Sequence, residues 1–336
     1  MKAIVYFETG GPEVLRPVER PIPEPGPGEV LVRVRRSGVN PTDWKARRSR
    51  QPAFPEVVPN QDGAGVVEAV GSGVPDSRVG ERVWLWEAAW QRAGGTAQEY
   101  VALPARQAVP LPDEASFDLG ASLGIPALTA HRCLTVAAGG PHRLGPGALA
   151  GRSVLVAGGA GAVGNTAIQL ARWAGATVVT TVSSPEKAEL AHTAGADFVV
   201  NYRTEDAVEA VGKAVPDGID FVVEVAPVAN AALNHAVVRT GATVAVYATD
   251  GSGELAVPVW PLMQRNVGYQ FVLVYTVPEN AKRDAVEDVS AAVAAGALRV
   301  GEEAGLPLHH YPLDQTGAAH AAVEAGAVGK VIIDVA

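Results

Sequence analysis

Over the first 125 residues apolar side chains come in short runs, KAIVYF, VLVRVRRSGV, AGVVEAVGSG, ERVWLW and AQEYVAL, each bounded by Gly, Pro or charged residues. Short strands separated by turn chemistry predict a compact β-rich domain. From residue 126 the pattern changes to strands alternating with helical stretches. SVLVA leads into GNTAIQLARWAG and ATVVTTV into SPEKAELAHTAG, while FVV, FVVEVA and TVAVYA follow with polar or amphipathic segments between them. Each crossover is long enough to carry the chain back over one face of a sheet, which predicts parallel strands wound with helices and an α/β fold class. GYQFVLVY reads as a last wound strand and PENAKRDAVEDVSAAVAAGAL as a further amphipathic helix. The Gly/Pro-rich stretch 137–152 reads as an exposed surface connector.

A chain of 336 residues exceeds one ordinary hydrophobic core and predicts two domains. No apolar run approaches the roughly 20 residues that cross a bilayer, and the first residues alternate like a strand rather than a secretory signal. The expectation is a cytoplasmic protein without a membrane partner. One cysteine, Cys133, excludes an internal disulfide and a Cys-rich zinc lobe. The net charge of −9 argues against charge-driven nucleic-acid binding. Lys45, Arg47, Arg48 and Arg50 form a local basic strip that reads as a solvated loop face.

Gly159, Gly161 and Gly164 fit G-x-G-x-x-G directly after the strand SVLVA and at the start of a helix that continues through Ala162 and Val163. In that setting the first glycine permits a tight turn, the second lets backbone approach a pyrophosphate, and the third allows close helix–strand packing. The free amides and positive dipole of the helix start favour phosphate. NAD sites commonly carry an acid about 20 residues further on, to hold the ribose hydroxyls. Here the strand ends in Thr180-Thr181-Val182-Ser183-Ser184, and Glu186 belongs to a helix start, after a Ser184 cap and Pro185. Ser183 and Lys187 instead suit a 2′-phosphate, which predicts NADPH.

With GVNPTDWKAR, PNQDGAGVVEAVG, GERVW, ASLGIPALTAHRCL, AGGAGAVGNTAIQLA, GADFVVNYRTED, GIDFVVEV and GAVGKVIIDV, the chain resembles the zinc-independent quinone oxidoreductases of the medium-chain dehydrogenase/reductase superfamily, particularly the zeta-crystallin-like group. The resemblance runs nearly end to end. It implies a GroES-like β-rich catalytic domain made of 1–125 and 299–336, and a Rossmann doubly wound parallel-sheet domain at 126–298 that binds NADPH, with the active cleft between them. It adds Tyr202 to the 2′-phosphate site. It also places Asn40 and Thr129 at the nicotinamide end, with Phe271, Val272, Leu273, Gly329 and Lys330 as further cofactor-site residues; Tyr247, which stands where relatives often have glycine, is expected beside them. Core packing is the competing reading for Phe271, and a hydroxyl bonded to its own helix backbone for Thr129.

Zinc alcohol dehydrogenases carry a cysteine at the position of Asn40 and a His-Glu pair at Gln61-Asp62, so the resemblance implies no metal site here. His309-His310 are adjacent and point different ways on a strand, and no short-chain Tyr-x-x-x-Lys pair is present. The implied reaction is hydride delivery from NADPH to a quinone, or to a conjugated enone, without an obligatory general acid. Asn40 orients the acceptor or nicotinamide, and Asp43 is a weaker polar candidate. Relatives often carry an aromatic residue after the Asn motif, where this chain reads Arg47-Arg48-Ser49-Arg50-Gln51. A non-enzymatic, NADPH-binding structural or RNA-associated role is the alternative from another class. The resemblance further implies a homodimer or higher assembly, joined edge to edge through TVAVYA or GYQFVLVY.

Overall fold

The computed structural model describes residues 1–249, 251 and 253–335. The chain divides into two compact units, Met1–Ile125 with Pro307–Ala336, and Pro126–Leu306. In chain order come β1 (Lys2–Val5), β2 (Arg16–Glu19), β3 (Glu29–Val39), α1 (Pro41–Ser49), β4 (Asp62–Val70), β5 (Arg82–Leu85), β6 (Tyr100–Pro104), β7 (Ala108–Pro110) and α2 (Phe117–Thr135). There follow β8 (Ser153–Ala157), α3 (Ala162–Trp173), β9 (Thr177–Val182), α4 (Pro185–Thr193), β10 (Phe198–Asn201), α5 (Ala207–Ala214), β11 (Ile219–Glu224) and α6 (Ala231–Val237). The chain continues with β12 (Val238–Val246), α7 (Val259–Gln264), β13 (Gly268–Phe271), α8 (Glu279–Ala294), β14 (Leu308–Pro312), α9 (Thr316–Glu324) and β15 (Lys330–Asp334).

In the first unit a mixed sheet runs β14-β15-β3-β4-β5-β7, with β6 paired to the first half of β3. The alternation of VLVRV puts Val30, Val32 and Val34 on one face, packed with Val67, Val83, Leu85, Val101 and Leu103. Each such buried side chain contributes about 1.5–3 kcal/mol over leaving it in water. Register then does the positioning. Strand β15 lies antiparallel to β3 with Val331 opposite Val39, and β4 sets Asp62 opposite Gly38. Lys330, Asn40 and Asp62 therefore meet at one end of three adjacent strands. Gly38 is required there, because a Cβ would fall 2.0 Å from the Ala121 carbonyl oxygen.

In the second unit six parallel strands run β10-β9-β8-β11-β12-β13. Their order within the unit is 3-2-1-4-5-6, the doubly wound dinucleotide-binding arrangement, whose order reverses between β8 and β11. Leu155, Val179, Val222 and Val244 fill the core between sheet and helices.

Several expectations change. Residues 299–306 belong to the second unit, held there by Gln169, whose amide donates to the Arg299 carbonyl and accepts from its N–H. The last wound strand stops at Phe271. TVAVYA cannot supply a sheet edge, since β12 is paired on both sides. The basic strip lies on α1, and Arg47 is fully buried, bonded to the Gly10 carbonyl and Glu324. The 137–152 connector is pinned rather than free. Leu144 and Leu149 are buried, and Asp288 accepts from the Leu144 N–H and from Arg143. Among the described residues no helix is long and apolar enough to cross a membrane.

A buried relay fixes the entry to β4. His320 donates from Nε2 to the Asn60 Oδ1, Asn60 donates to Ser37, Ser37 to Thr96, and Thr96 to the Asp62 carbonyl, at 2.9, 2.9, 2.7 and 2.6 Å. Burial, reinforced by the Arg47 charge, pushes His320 down to about 3. The unfolded chain thus binds a proton near pH 6.5 that the folded chain refuses until about 3. Relative to His320→Gln, wild-type stability is expected to fall by about 1.4 kcal/mol per pH unit as pH drops through that window. Urea unfolding from pH 7 to 3.5 checks it; parallel curves for the two proteins would contradict it.

Candidate functional site

The second unit carries a cradle between β8 and α3. Gly158, one residue before the motif, takes the left-handed conformation at φ 72°. Gly159 has another reason to be glycine, since its Cβ would lie 2.2 Å from the Thr180 hydroxyl, while that of Gly164 would lie 2.3 Å from the Gly158 carbonyl oxygen. Gly161 differs, because the nearest protein atom to its Cβ would be 3.5 Å away. The fold demands two of the motif glycines and leaves the third open on its outer side. Gly161 caps α3 without a side-chain bond, so the first-turn amides of Ala162 and Val163 have no capping acceptor.

At the end of β9 the Lys187 ammonium donates to the Ser183 hydroxyl at 2.9 Å. Ser184 caps α4 by accepting the Lys187 N–H, and Glu186 turns back to Ser184, which holds its carboxyl below the ordinary range. The carboxylate is therefore engaged at the helix start. Tyr202 follows β10, its N–H donating to the Val182 carbonyl, and its side chain is half exposed. Ser183, Lys187 and Tyr202 thus cluster at neighbouring strand ends.

The remaining expected residues of this unit are more scattered in character. Thr129 is buried in α2, and among the described residues its hydroxyl has no hydrogen-bond partner, whereas Thr135 in the same helix bonds the His131 carbonyl. The half-buried Tyr247 has its phenol pushed up by burial, then by Cys133 and Glu224. Core packing fits Val272 but not Phe271, which is 73% exposed, nor the exposed Leu273.

In the first unit the strand register assembles a buried polar cluster. Lys330 Nζ donates to Asn40 Oδ1 at 2.7 Å and to Asp62 Oδ2 at 3.2 Å, and Asn40 Nδ2 donates to the same Asp62 oxygen at 2.6 Å. The second Asp62 oxygen accepts the Ile125 N–H at 2.8 Å. Lys330 is thus an internal cation, where a surface cofactor ligand is expected, and Asn40 is clamped at both ends of its amide. Gly329, at φ 104°, turns the chain into β15. Asp43, buried in α1, accepts the Asn40 N–H at 2.7 Å in a capping box. Burial, then the Asp62 charge, pushes Asp43 up to about 8. Burial raises Asp62 as well, with the Lys330 ammonium foremost among the groups opposing it.

Asp43 also lines a cavity of about 200 Å³ walled by Tyr6, Phe54 and Trp90, with Arg50 and Gln61 among its polar residues. Sequence reasoning overlooked Asp62 as a site residue, although its place beside Gln61 at the position of a metal-ligand pair in zinc relatives was a usable signal. The donors present do not fit zinc. Asn and Gln are poor ligands, an ammonium already sits on Asp62, and among the described residues no three His, Cys, Asp or Glu converge.

Two family models match the chain, "Alcohol dehydrogenase GroES-like domain" over residues 26–113 and "Zinc-binding dehydrogenase" over 162–294. A quinone oxidoreductase of Rattus norvegicus is 31% identical over 342 residues, covering 99% of this chain and 97% of that protein. Among solved structures, Escherichia coli quinone oxidoreductase complexed with NADPH aligns with a TM-score of 0.81 at 25% identity, over 99% of this chain and 100% of that one. An NAD-dependent alcohol dehydrogenase aligns at 0.85 and 27% identity, over the whole of both chains.

The contacts of the two glycines predict opposite tolerances. Gly164→Ala should cost about 2–3 kcal/mol of unfolding free energy through its collision with backbone, and Gly161→Ala less than about 1. Denaturant titration measures both; equal costs would contradict the packing assignment.

Proposed function

The chain belongs to the quinone oxidoreductase family of the medium-chain dehydrogenase/reductase superfamily, and from that premise we propose that it is an NADPH-dependent, zinc-independent reductase of quinones. The observation that carries the cofactor choice is the Lys187–Ser183 pair at the end of β9, in a place where an NAD site commonly holds a carboxylate. A hydroxyl and an ammonium already within hydrogen-bond distance welcome a 2′-phosphate, and a carboxylate there would repel it.

The cradle fits the rest of the nucleotide. The open side of Gly161 admits a pyrophosphate against the amides of Ala162, Val163 and Gly164, and Tyr202 flanks the 2′-phosphate. When bound, NADPH supplies two electrons as hydride, which suits an acceptor that is already electrophilic. The chain's own residues bind and orient. Tyr6, Phe54 and Trp90 offer flat apolar walls to a planar ring, and Arg50 and Gln61 add polar contacts. The Lys330–Asp62 pair fixes the Asn40 amide at both ends, and the Asn40 N–H in turn holds Asp43, which lines the cavity. No zinc is needed to polarise a quinone, since a quinone delocalises the incoming charge into its own oxygen. NADPH turnover with enones in place of quinones would rename the acceptor and leave the cofactor site unchanged.

Lys187→Ala should weaken NADPH binding by about 10- to 100-fold, the loss of one charged hydrogen bond, with NADH binding unaltered. Gly161→Ala should weaken both while remaining folded. Nucleotide fluorescence titration gives these constants, and an equal loss of NADPH and NADH affinity in Lys187→Ala would contradict the 2′-phosphate assignment.

A further inference from the structure

We propose that Asp43 is the general acid of the reaction, a protonated carboxyl in the wall of the first unit's cavity that delivers its proton to the acceptor oxygen. The inference rests on the proposed reductase function and adds a residue that solvent would otherwise replace.

Charge balance in the cluster is the first ground. One buried ammonium, Lys330, faces two buried carboxyls, Asp62 and Asp43. Asp62 collects the ammonium, the Asn40 amide and the Ile125 N–H. Asp43 receives the backbone N–H groups of Asn40 and Gln61. One cation offsets one anion, and a second uncompensated carboxylate in the same buried space is avoided by keeping its proton. Two carboxyls whose surroundings drive them apart are a general route to dividing acid and base roles.

Position is the second ground. Of the two carboxyls, Asp43 is the one that lines the cavity. The charged and titratable groups around it come from each neighbouring element: Tyr6 after β1, Arg47 of α1 and Arg50 at its end, Asp62 at the start of β4, and Lys330 of β15. Arg47 is engaged by Glu324 and the Gly10 carbonyl, and Arg92, the other cation of the cavity wall, by Glu29. Burial together with the Asp62 charge raises Asp43 to about 8, so it is protonated at neutral pH and able to release the proton when demand arises.

The step balances simply. The acceptor gains two electrons and one hydrogen from the nicotinamide, its carbonyl π bond opens onto oxygen, and that oxygen takes the Asp43 proton. The resulting Asp43 carboxylate, beside the Asp62 carboxylate, recovers a proton from solvent.

The test compares wild type with Asp43→Asn, which retains an oxygen for the Asn40 N–H. Carbon-13 NMR of aspartate-labelled, cofactor-free protein should show a carboxyl titrating near 8, absent from the variant. Wild-type turnover should fall above that pH, while the variant should lose about 10²- to 10⁴-fold in kcat and show no such limb, with NADPH affinity unchanged. Wild-type kcat and pH profile in the variant, or no carboxyl titrating above pH 6, overturn the proposal and leave the reductase standing. Failure of wild type to oxidise NADPH with any quinone or enone overturns the reductase reading and this proposal together.

Discussion

The first unit depends on one buried ion pair. Lys330 and Asp62 are both essentially without solvent contact, and an ammonium and a carboxylate taken out of water cost more than they return unless every remaining valence is met. Here Asn40 bonds both partners and the Ile125 amide bonds the second carboxylate oxygen, which offsets that cost. Removing either charge would leave its partner buried and alone, which costs about 3–5 kcal/mol in such settings. The pair therefore commits β15, β3, β4 and the middle of α2 to one arrangement. Glycine is enforced around it. Beyond Gly38, a Cβ on Gly124 would fall 2.1 Å from the Asp62 carboxylate, and one on Gly329 would fall 2.1 Å from the Pro307 carbonyl oxygen. The His320 relay adds a further constraint from α9, ending on the Asp62 carbonyl.

The same pair puts an ammonium on the carboxylate that a metal would need. In zinc relatives the positions of Asn40 and Gln61-Asp62 supply ligands, so their charge complement is a divalent cation. This chain places an ammonium on Asp62 instead, delivered by a strand from the far end of the sequence. Lysine carries one charge where zinc carries two, and the charge of Asp43 is then in excess. The proposed neutral Asp43 carboxyl in the cavity wall follows from that difference in charge.

The strand-turn-helix of the candidate nucleotide cradle was the most legible part of the chain because its determinants are local. A strand, three glycines, a helix and the Ser183–Lys187 pair all fall within 35 residues, and each is recognisable from its neighbours. Even there, the left-handed turn belongs to Gly158 rather than Gly159, since the motif fixes spacing and not dihedral angles. The polar cluster was legible only in part. Asn40 and Lys330 stand 290 residues apart, and only the antiparallel register of β15 on β3 brings them together. Arg47 read as surface because its partners, Gly10 and Glu324, lie in distant segments. Overall fold similarity does not choose the cofactor either, as the NAD-dependent alcohol dehydrogenase aligns at a TM-score of 0.85. That choice falls to a few side chains at the strand ends.

The most direct test of an internal ammonium in place of a metal is turnover by metal-stripped protein. Wild-type protein dialysed against chelator, with its zinc content read by mass spectrometry, should oxidise NADPH with a quinone at an undiminished rate per chain when zinc is far below one atom per chain. Activity that declines with zinc content and returns on adding Zn²⁺ would show that the cluster around Lys330 does not replace the metal.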